Sequence, residues 1–232
     1  MPSPHDDGLR LAAAGVRCRR GGRNVLPLVD FDLRAGQVLE LRGANGSGKT
    51  SLLRLLAGLT PASAGELHWN GRRLRPVDAG YAAQMAYLGH LNGLSPHLSA
   101  AENLRLGLRL SGGAPAEAVP AALATWGLAA LAGQPVRRLS QGQRRRLALA
   151  RVTLGQRALW LLDEPYAALD RASEDLLDAQ LTAHLEHGGA AVIATHRPLG
   201  VPATMLRTLQ LDALPQPSPA APPPEDVEAF AC

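Results

Sequence analysis

The chain has 232 residues, 46% of them apolar and 19% charged, with a formal net charge of +4 and a pI near 9.7. That length and apolar content suffice for one unit with a sizeable core, and no apolar run approaches the ~18–20 residues that span a bilayer. Aromatic residues at 3% leave no interleaved stacking platform for nucleic-acid bases, and no nucleic-acid partner is expected. Cys18 and Cys232 lie too far apart for a metal spacing or a disulfide framework, and residues 1–7 lack the basic start and apolar stretch of a secretory signal. Two reduced thiols in an intracellular protein are the expectation.

Residues 9–16, 24–33 and 37–41 read as short β segments, separated by turn signals at Gly21-Gly22 and Ala35-Gly36. The third runs into Gly43-Ala44-Asn45-Gly46-Ser47-Gly48-Lys49-Thr50, which fits the pattern G-x-x-x-x-G-K-[ST] at every fixed position. Ser51 and leucines at helical spacing follow. The glycines let successive backbone N–H groups turn inward as a nest for phosphate oxygens, and a helix N-terminus adds free donors at the same point. Lys49 brings a mobile point charge to the terminal phosphates, and the Thr50 hydroxyl can ligate Mg²⁺. Lys49 is also the chain's sole lysine, every other basic position being arginine. ATP with Mg²⁺ is the expected ligand pair.

Beyond this loop, residues 61–65 read as a loop and residues 66–69 as a strand ending in the hairpin signal Asn70-Gly71. Residues 81–88 read as a buried strand or its approach. From residue 95 to about 133 the pattern is helical and alanine-rich, with breaks at Ser111-Gly112-Gly113 and near Pro120. This reads as a helical subdomain, about residues 90–155, inserted into an α/β core. Residues 140–153 continue as a helix, 158–162 as a central parallel strand, 171–187 as an amphipathic helix, 190–194 as a second central strand and 205–211 as an edge strand. Residues 213–232 read as a proline-rich tail, leaving one folded unit over residues 1–212.

The strand at 158–162 ends in Asp163-Glu164-Pro165. Carboxylates at the carboxyl end of a central strand stand where α/β sheets place ligand chemistry. With the phosphate loop upstream, Asp163 is the expected Mg²⁺ carboxylate and Glu164 the base that polarises a water for attack on the γ-phosphate.

Between the two stretches lies Leu139-Ser140-Gln141-Gly142-Gln143, followed by Leu147-Ala148-Leu149-Ala150-Arg151. This resembles the LSGGQ signature of ABC-type ATPases, with Gln141 in place of a glycine. The resemblance covers about residues 9–211. It implies a P-loop NTPase core, a mostly parallel central sheet with an antiparallel β subdomain, and a helical subdomain carrying the signature. It also implies that Ser140, Gln141, Gly142 and Gln143 cap the γ-phosphate held by a second copy in a head-to-tail dimer. Ala168-Leu169-Asp170 resembles the segment that crosses the dimer seam, and Thr195-His196 the switch histidine that touches the γ-phosphate.

Two positions depart from the family pattern. The adenine-stacking aromatic aligns with Arg20, and no aromatic residue precedes Phe31, so weak discrimination between ATP and GTP is expected. The family glutamine that reaches Mg²⁺ and the water aligns with His90, with Gln84 as the alternative. An imidazole there implies a steeper acid loss of activity than a glutamine would give. Tyr87-Leu88-Gly89-His90, Leu98-Ser99-Ala100-Ala101-Glu102-Asn103-Leu104 and Thr195-His196-Arg197-Pro198-Leu199 resemble the ATP-binding subunit of the bacterial cytochrome c maturation (Ccm) haem exporter. That resemblance implies a separate transmembrane permease subunit, a peripheral location at the cytoplasmic face of the inner membrane, and ATP-driven haem export or release of a haem-loaded chaperone. A motor for another solute, a non-transport ABC ATPase and a soluble phosphate-loop kinase are the alternatives. The kinase would not need the signature.

Overall fold

The computed structural model describes residues 9–20, 23–75, 78–111 and 115–212. The chain opens with two antiparallel strands, β1 (Arg10–Arg20) and β2 (Arg23–Arg34), and then enters β3 (Val38–Arg42). The phosphate loop leads into α1 (Lys49–Leu56). A second hairpin follows, β4 (Ala64–Trp69) and β5 (Arg72–Arg73), turning through Asn70 and Gly71, both at positive φ. After the short α2 (Ala79–Ala82) come β6 (Met85–Leu88), the helices α3 (Ala100–Ser111), α4 (Val119–Thr125) and α5 (Gln141–Leu154), and then β7 (Leu159–Asp163). α6 (Arg171–Glu186), β8 (Ala190–Ala194) and β9 (Leu206–Gln210) complete the described chain.

The strands form two sheets, an antiparallel one in the order β2-β1-β4-β5 and a parallel one in the order β6-β7-β8-β3-β9. The fold is therefore α/β with a parallel sheet, an antiparallel sheet and helices, as the family resemblance implied. β7 shows why the layers stack as they do. Side chains alternate across a strand. Leu159 and Leu161 join a core with α1 and the antiparallel sheet, whereas Trp160 and Leu162 join a core with α3, α4, α5 and α6. Strands buried on both faces are built mainly of apolar residues, and β7 and β8 are buried along their lengths, with Asp163 at the end of β7 the only charged residue in either.

For residues 81–88 the structure decides between strand and approach. Residues 81 and 82 are not extended. Asp78 accepts a hydrogen bond from the Tyr81 N–H at 3.0 Å and starts the turn of α2, and the strand begins only at Met85. Tyr81 is buried nonetheless, because its hydroxyl donates to the Leu56 carbonyl at 2.9 Å. Pro120 opens α4 instead of breaking it, since proline is tolerated in a first helical turn. The turn at Gly21-Gly22, the break at Gly112-Gly113 and the tail at 213–232 lie outside the described residues. Among the described residues, no helix is long and apolar enough to cross a membrane.

Parallel strands end at one edge of their sheet. β3 delivers the loop at 43–50 to that edge, β6 delivers Gly89-His90, β7 Asp163-Glu164 and β8 Thr195-His196.

Candidate functional site

The four strand ends enclose a cleft of about 700 Å³, lined by Asn45 to Ser51 of the loop, His90, Asp163, Glu164 and His196, with Asn24, Val25 and Pro27 of β2 on the outer wall. The loop backbone takes the left-handed region at Gly43, Gly46 and Gly48. At Gly48 glycine is required twice over. Its φ is +103°, and a Cβ there would stand 2.7 Å from the Val25 carbonyl oxygen. The close approach of β2 to the loop depends on that missing atom.

Lys49 is buried, and its Nζ donates to the loop's own carbonyls, Gly43 at 2.7 Å and Ala44 at 3.2 Å. The Ser47 hydroxyl is buried with no hydrogen-bond partner. A cation turned back on its own loop and an orphan hydroxyl at a helix N-terminus are groups that a phosphate would satisfy. Below them, the Thr50 hydroxyl donates to Asp163 Oδ2 at 2.9 Å, and Asp163 is 3% exposed. This hydroxyl–carboxylate pair is the hard oxygen donor set that suits Mg²⁺.

Glu164 sits at the strand end with φ +47°, unusual for a residue with a side chain. Its N–H donates to the Ala194 carbonyl at 2.8 Å, tying β7's exit to β8's. His196 approaches it, with Nε2 3.4 Å from Glu164 Oε1. Behind the pair, Arg197 lies over the Tyr166 ring at 4.4 Å and donates to Asp178 Oδ2 at 2.9 Å, while the Tyr166 hydroxyl donates to Asp178 Oδ1 at 2.5 Å. Burial and the hydrogen bond to Asp178 raise the Tyr166 pKa, against the opposing pull of Arg197, so the phenol stays protonated as a donor.

His90 and Gln84 separate cleanly. His90 lines the cleft, whereas Gln84 precedes β6 at the opposite edge of the sheet, where its carbonyl accepts from Leu159 N–H and it borders a different cavity with Trp160 and His184. The Arg20 backbone ends β1, and its side chain lies outside what is described.

The segment Ser140 to Gln143 does not line this cleft. Ser140 caps α5 in a reciprocal box: its hydroxyl accepts from the Gln143 N–H at 3.2 Å, and the Gln143 side chain accepts from the Ser140 N–H at 2.9 Å. Gly142 lies against the loop before α6, where an added Cβ would be 2.7 Å from the Ala168 carbonyl. Asp170 caps α6 through the Ser173 N–H at 2.9 Å, and hydrogen bonding to the side chain and then the backbone of Ser173 lowers its pKa.

Two residues near the site escaped the sequence reading. Asp212 accepts from the Ala44 N–H at 3.1 Å, at the loop's entry. Arg145, within Arg144-Arg145-Arg146, is 4% exposed and donates to the Asp163 and Glu164 carbonyls at 2.7 and 2.5 Å. Burial lowers its pKa, against the opposing pull of Asp163 and Glu164. A signal was present. Arg145 falls at helical spacing with Ala148, Leu149 and Val152, the buried face of α5.

A profile of the ABC transporter family matches residues 26–167. The cytochrome c biogenesis ATP-binding export protein CcmA of Bordetella bronchiseptica is 56% identical over 203 residues, covering 87% of this chain and 89% of that one. The protein of the same name from Cupriavidus necator is 50% identical over 204 residues, covering 88% of each. Among solved structures, an ATP-binding subunit of an ABC transporter superposes with a TM-score of 0.74 at 26% identity over 80% of this chain and 79% of that one. The dimeric ATP-binding cassette MJ0796 bound to ADP and Pi superposes with a TM-score of 0.72 at 24% identity over 81% and 88%, a likeness of fold.

Proposed function

Because the chain belongs to the ABC transporter family of ATP-binding domains, we propose that it is the ATP-hydrolysing motor of a transport complex for cytochrome c biogenesis. Its curated relatives, matched over nearly their whole length, carry that role in their names. The observation that carries the enzymatic part is the convergence of Lys49, Thr50, Asp163, Glu164, His196 and His90 on one cleft from strand ends far apart in sequence.

The loop N–H groups and Lys49 bind the β- and γ-phosphates of ATP. Thr50 and Asp163 would hold Mg²⁺, with His90 lining the same cleft, and the ion would neutralise charge on the phosphate oxygens. Glu164 accepts a proton from the attacking water, as its place at the rim beside the phosphate loop allows. His196, 3.4 Å away, orients that carboxylate. Ser140 to Gln143 serve the site of a second copy, since they stand outside their own cleft with a helix N-terminus to offer an anion. Two composite sites then form in a head-to-tail dimer.

Conformational work passes to a separate membrane subunit, which places this chain at the cytoplasmic face of the inner membrane. The chemistry delivered is haem export or the release of a haem-loaded chaperone. Deleting the gene in its host should abolish haem attachment to c-type cytochromes, with recovery by the wild-type gene and none by Glu164→Gln. Normal cytochromes c in the deletion strain would sink the biogenesis reading. Recovery by Glu164→Gln would sink the hydrolytic one.

A further inference from the structure

We infer that Arg145 is a positioning residue for hydrolysis, a clamp that holds Glu164 in its left-handed backbone conformation and ties it to the loop bearing His90. The inference rests on the proposed ATPase function and adds a residue to its machinery.

The guanidinium lies beneath the cleft and reaches two strand ends at once. Toward β7 it donates to the carbonyls of Asp163 at 2.7 Å, Glu164 at 2.5 Å and Pro165 at 3.2 Å. Toward β6 it donates to the Gly89 carbonyl at 3.3 Å and to Asn92 Oδ1 at 3.0 Å. These five acceptors are all neutral. A buried cation is costly unless hydrogen-bonded, and here oriented carbonyl dipoles supply the compensation. A planar fork meets acceptors in several fixed directions, which a single ammonium does not.

Glu164 explains why such a clamp is needed. Its φ of +47° is a conformation that a residue with a side chain avoids unless its surroundings enforce it. Enforcement comes from both sides of the residue. The Ala194 carbonyl takes its N–H, and Arg145 takes its C=O. The carboxylate is aimed by that backbone geometry. The same guanidinium holds Gly89 and Asn92, which flank His90 and the exposed Leu91. Arg151, two turns along α5, holds the Asn92 carbonyl at 3.0 Å and also bonds that of Gly93. One helix thus fixes the His90 loop and the Glu164 turn relative to each other, and a shift of α5 alters both.

The test is ATP hydrolysis by the full chain, with nucleotide affinity measured separately using a fluorescent ATP analogue. Arg145→Gln should lower kcat by about 100-fold, the scale of a small misplacement of catalytic groups, with affinity within about threefold of wild type. Arg145→Lys should recover part of the loss. Asn92→Ala, which removes one acceptor and leaves the guanidinium, should lower kcat several-fold. Leu123→Ala, a cavity variant in α4, shows what loss of stability alone does and should not separate kcat from affinity. Turnover near wild type in Arg145→Gln, or kcat and affinity falling together as in Leu123→Ala, overturns the inference. If Arg145→Gln does not fold, an unchanged kcat in Asn92→Ala overturns it. Glu164→Gln run alongside separates the two readings. Absence of turnover in the wild-type chain defeats the ATPase assignment, full turnover in Glu164→Gln removes Glu164 from catalysis, and its loss there with an unaffected Arg145→Gln defeats the clamp alone.

Discussion

Lys49 shows how one side chain can be specified by its cage. Its Nζ sits between the Gly43 and Ala44 carbonyls, inside a loop whose Gly48 is already packed against β2. A compact ammonium fits there and a planar guanidinium does not. In a chain that otherwise uses only arginine, the charge alone does not explain the lysine. Lys49→Arg should therefore weaken ATP binding by at least about tenfold, a difference of about 1.4 kcal/mol, as read by equilibrium binding of a fluorescent ATP analogue. Binding equal to wild type would mean that charge, not shape, is what the site needs. Much of this was legible in the residues, because the loop is marked by three spaced glycines and one lysine within eight consecutive residues. Arg145 was far less legible. It reads as one of three adjacent arginines, and only its spacing with Ala148, Leu149 and Val152 hints that it faces inward.

At the level of elements, local signals and long-range packing divide the explanation. The Ser140–Gln143 box and the Ser99–Glu102 box, in which Ser99 N–H donates to Glu102 Oε2 at 2.7 Å, set the starts of α5 and α3 by short-range chemistry. Gly142 lies against Ala168, so the start of α5 also borders the loop before α6. The far end of α6 is decided by packing instead. His184 stacks on Trp160 with ring centroids 4.0 Å apart, and its Nε2 lies 3.1 Å from the Ala190 carbonyl. Burial pulls its pKa below the ordinary 6.5, and the nearby His187 adds to that, while the hydrogen bond to Ala190 opposes it. The sign follows from linkage. Above pH ~6.5 the ring is neutral in both states and its contribution is intact. As pH falls, the unfolded chain takes the proton first, and stability is lost until pH passes the lower folded value. Wild-type Tm should therefore drop more between pH 7 and 5 than that of His184→Phe, which keeps a ring on Trp160 without the titration. Equal slopes in thermal melts would assign the acid sensitivity elsewhere.

Under the proposed function, the whole molecule presents half of a site in two places. The cleft holds the phosphate loop, Asp163, Glu164, His196 and His90, and Ser140 to Gln143 stand outside it. A chain so arranged should be monomeric without nucleotide and dimeric when ATP is bound but not cleaved. Glu164→Gln with ATP is expected to elute as a dimer in size exclusion with light scattering, and with ADP as a monomer. A mass independent of nucleotide would separate the dimer from the ATP cycle. The helical layer contributes to the same picture, because α3, α4 and α5 share one core with the sheet face at Trp160 and Leu162. Motion of that layer therefore bears on the cleft through α5.

Features that depend on near neighbours along the chain are legible in the residues. The phosphate loop, the helix caps, the Asn70-Gly71 hairpin and the apolar strand running into Asp163-Glu164 are all patterns of a few residues, and their physics is short-ranged. Which distant groups meet depends on the folded chain. It set His90 in the cleft and Gln84 at the opposite edge, because the two stand at opposite ends of a four-residue strand in a parallel sheet. It turned Arg145 toward carbonyls contributed by two other strand ends. Four of its five partners are backbone oxygens, which every residue carries, so no residue type marks them in the sequence; only the folded positions of β6, β7 and α5 do.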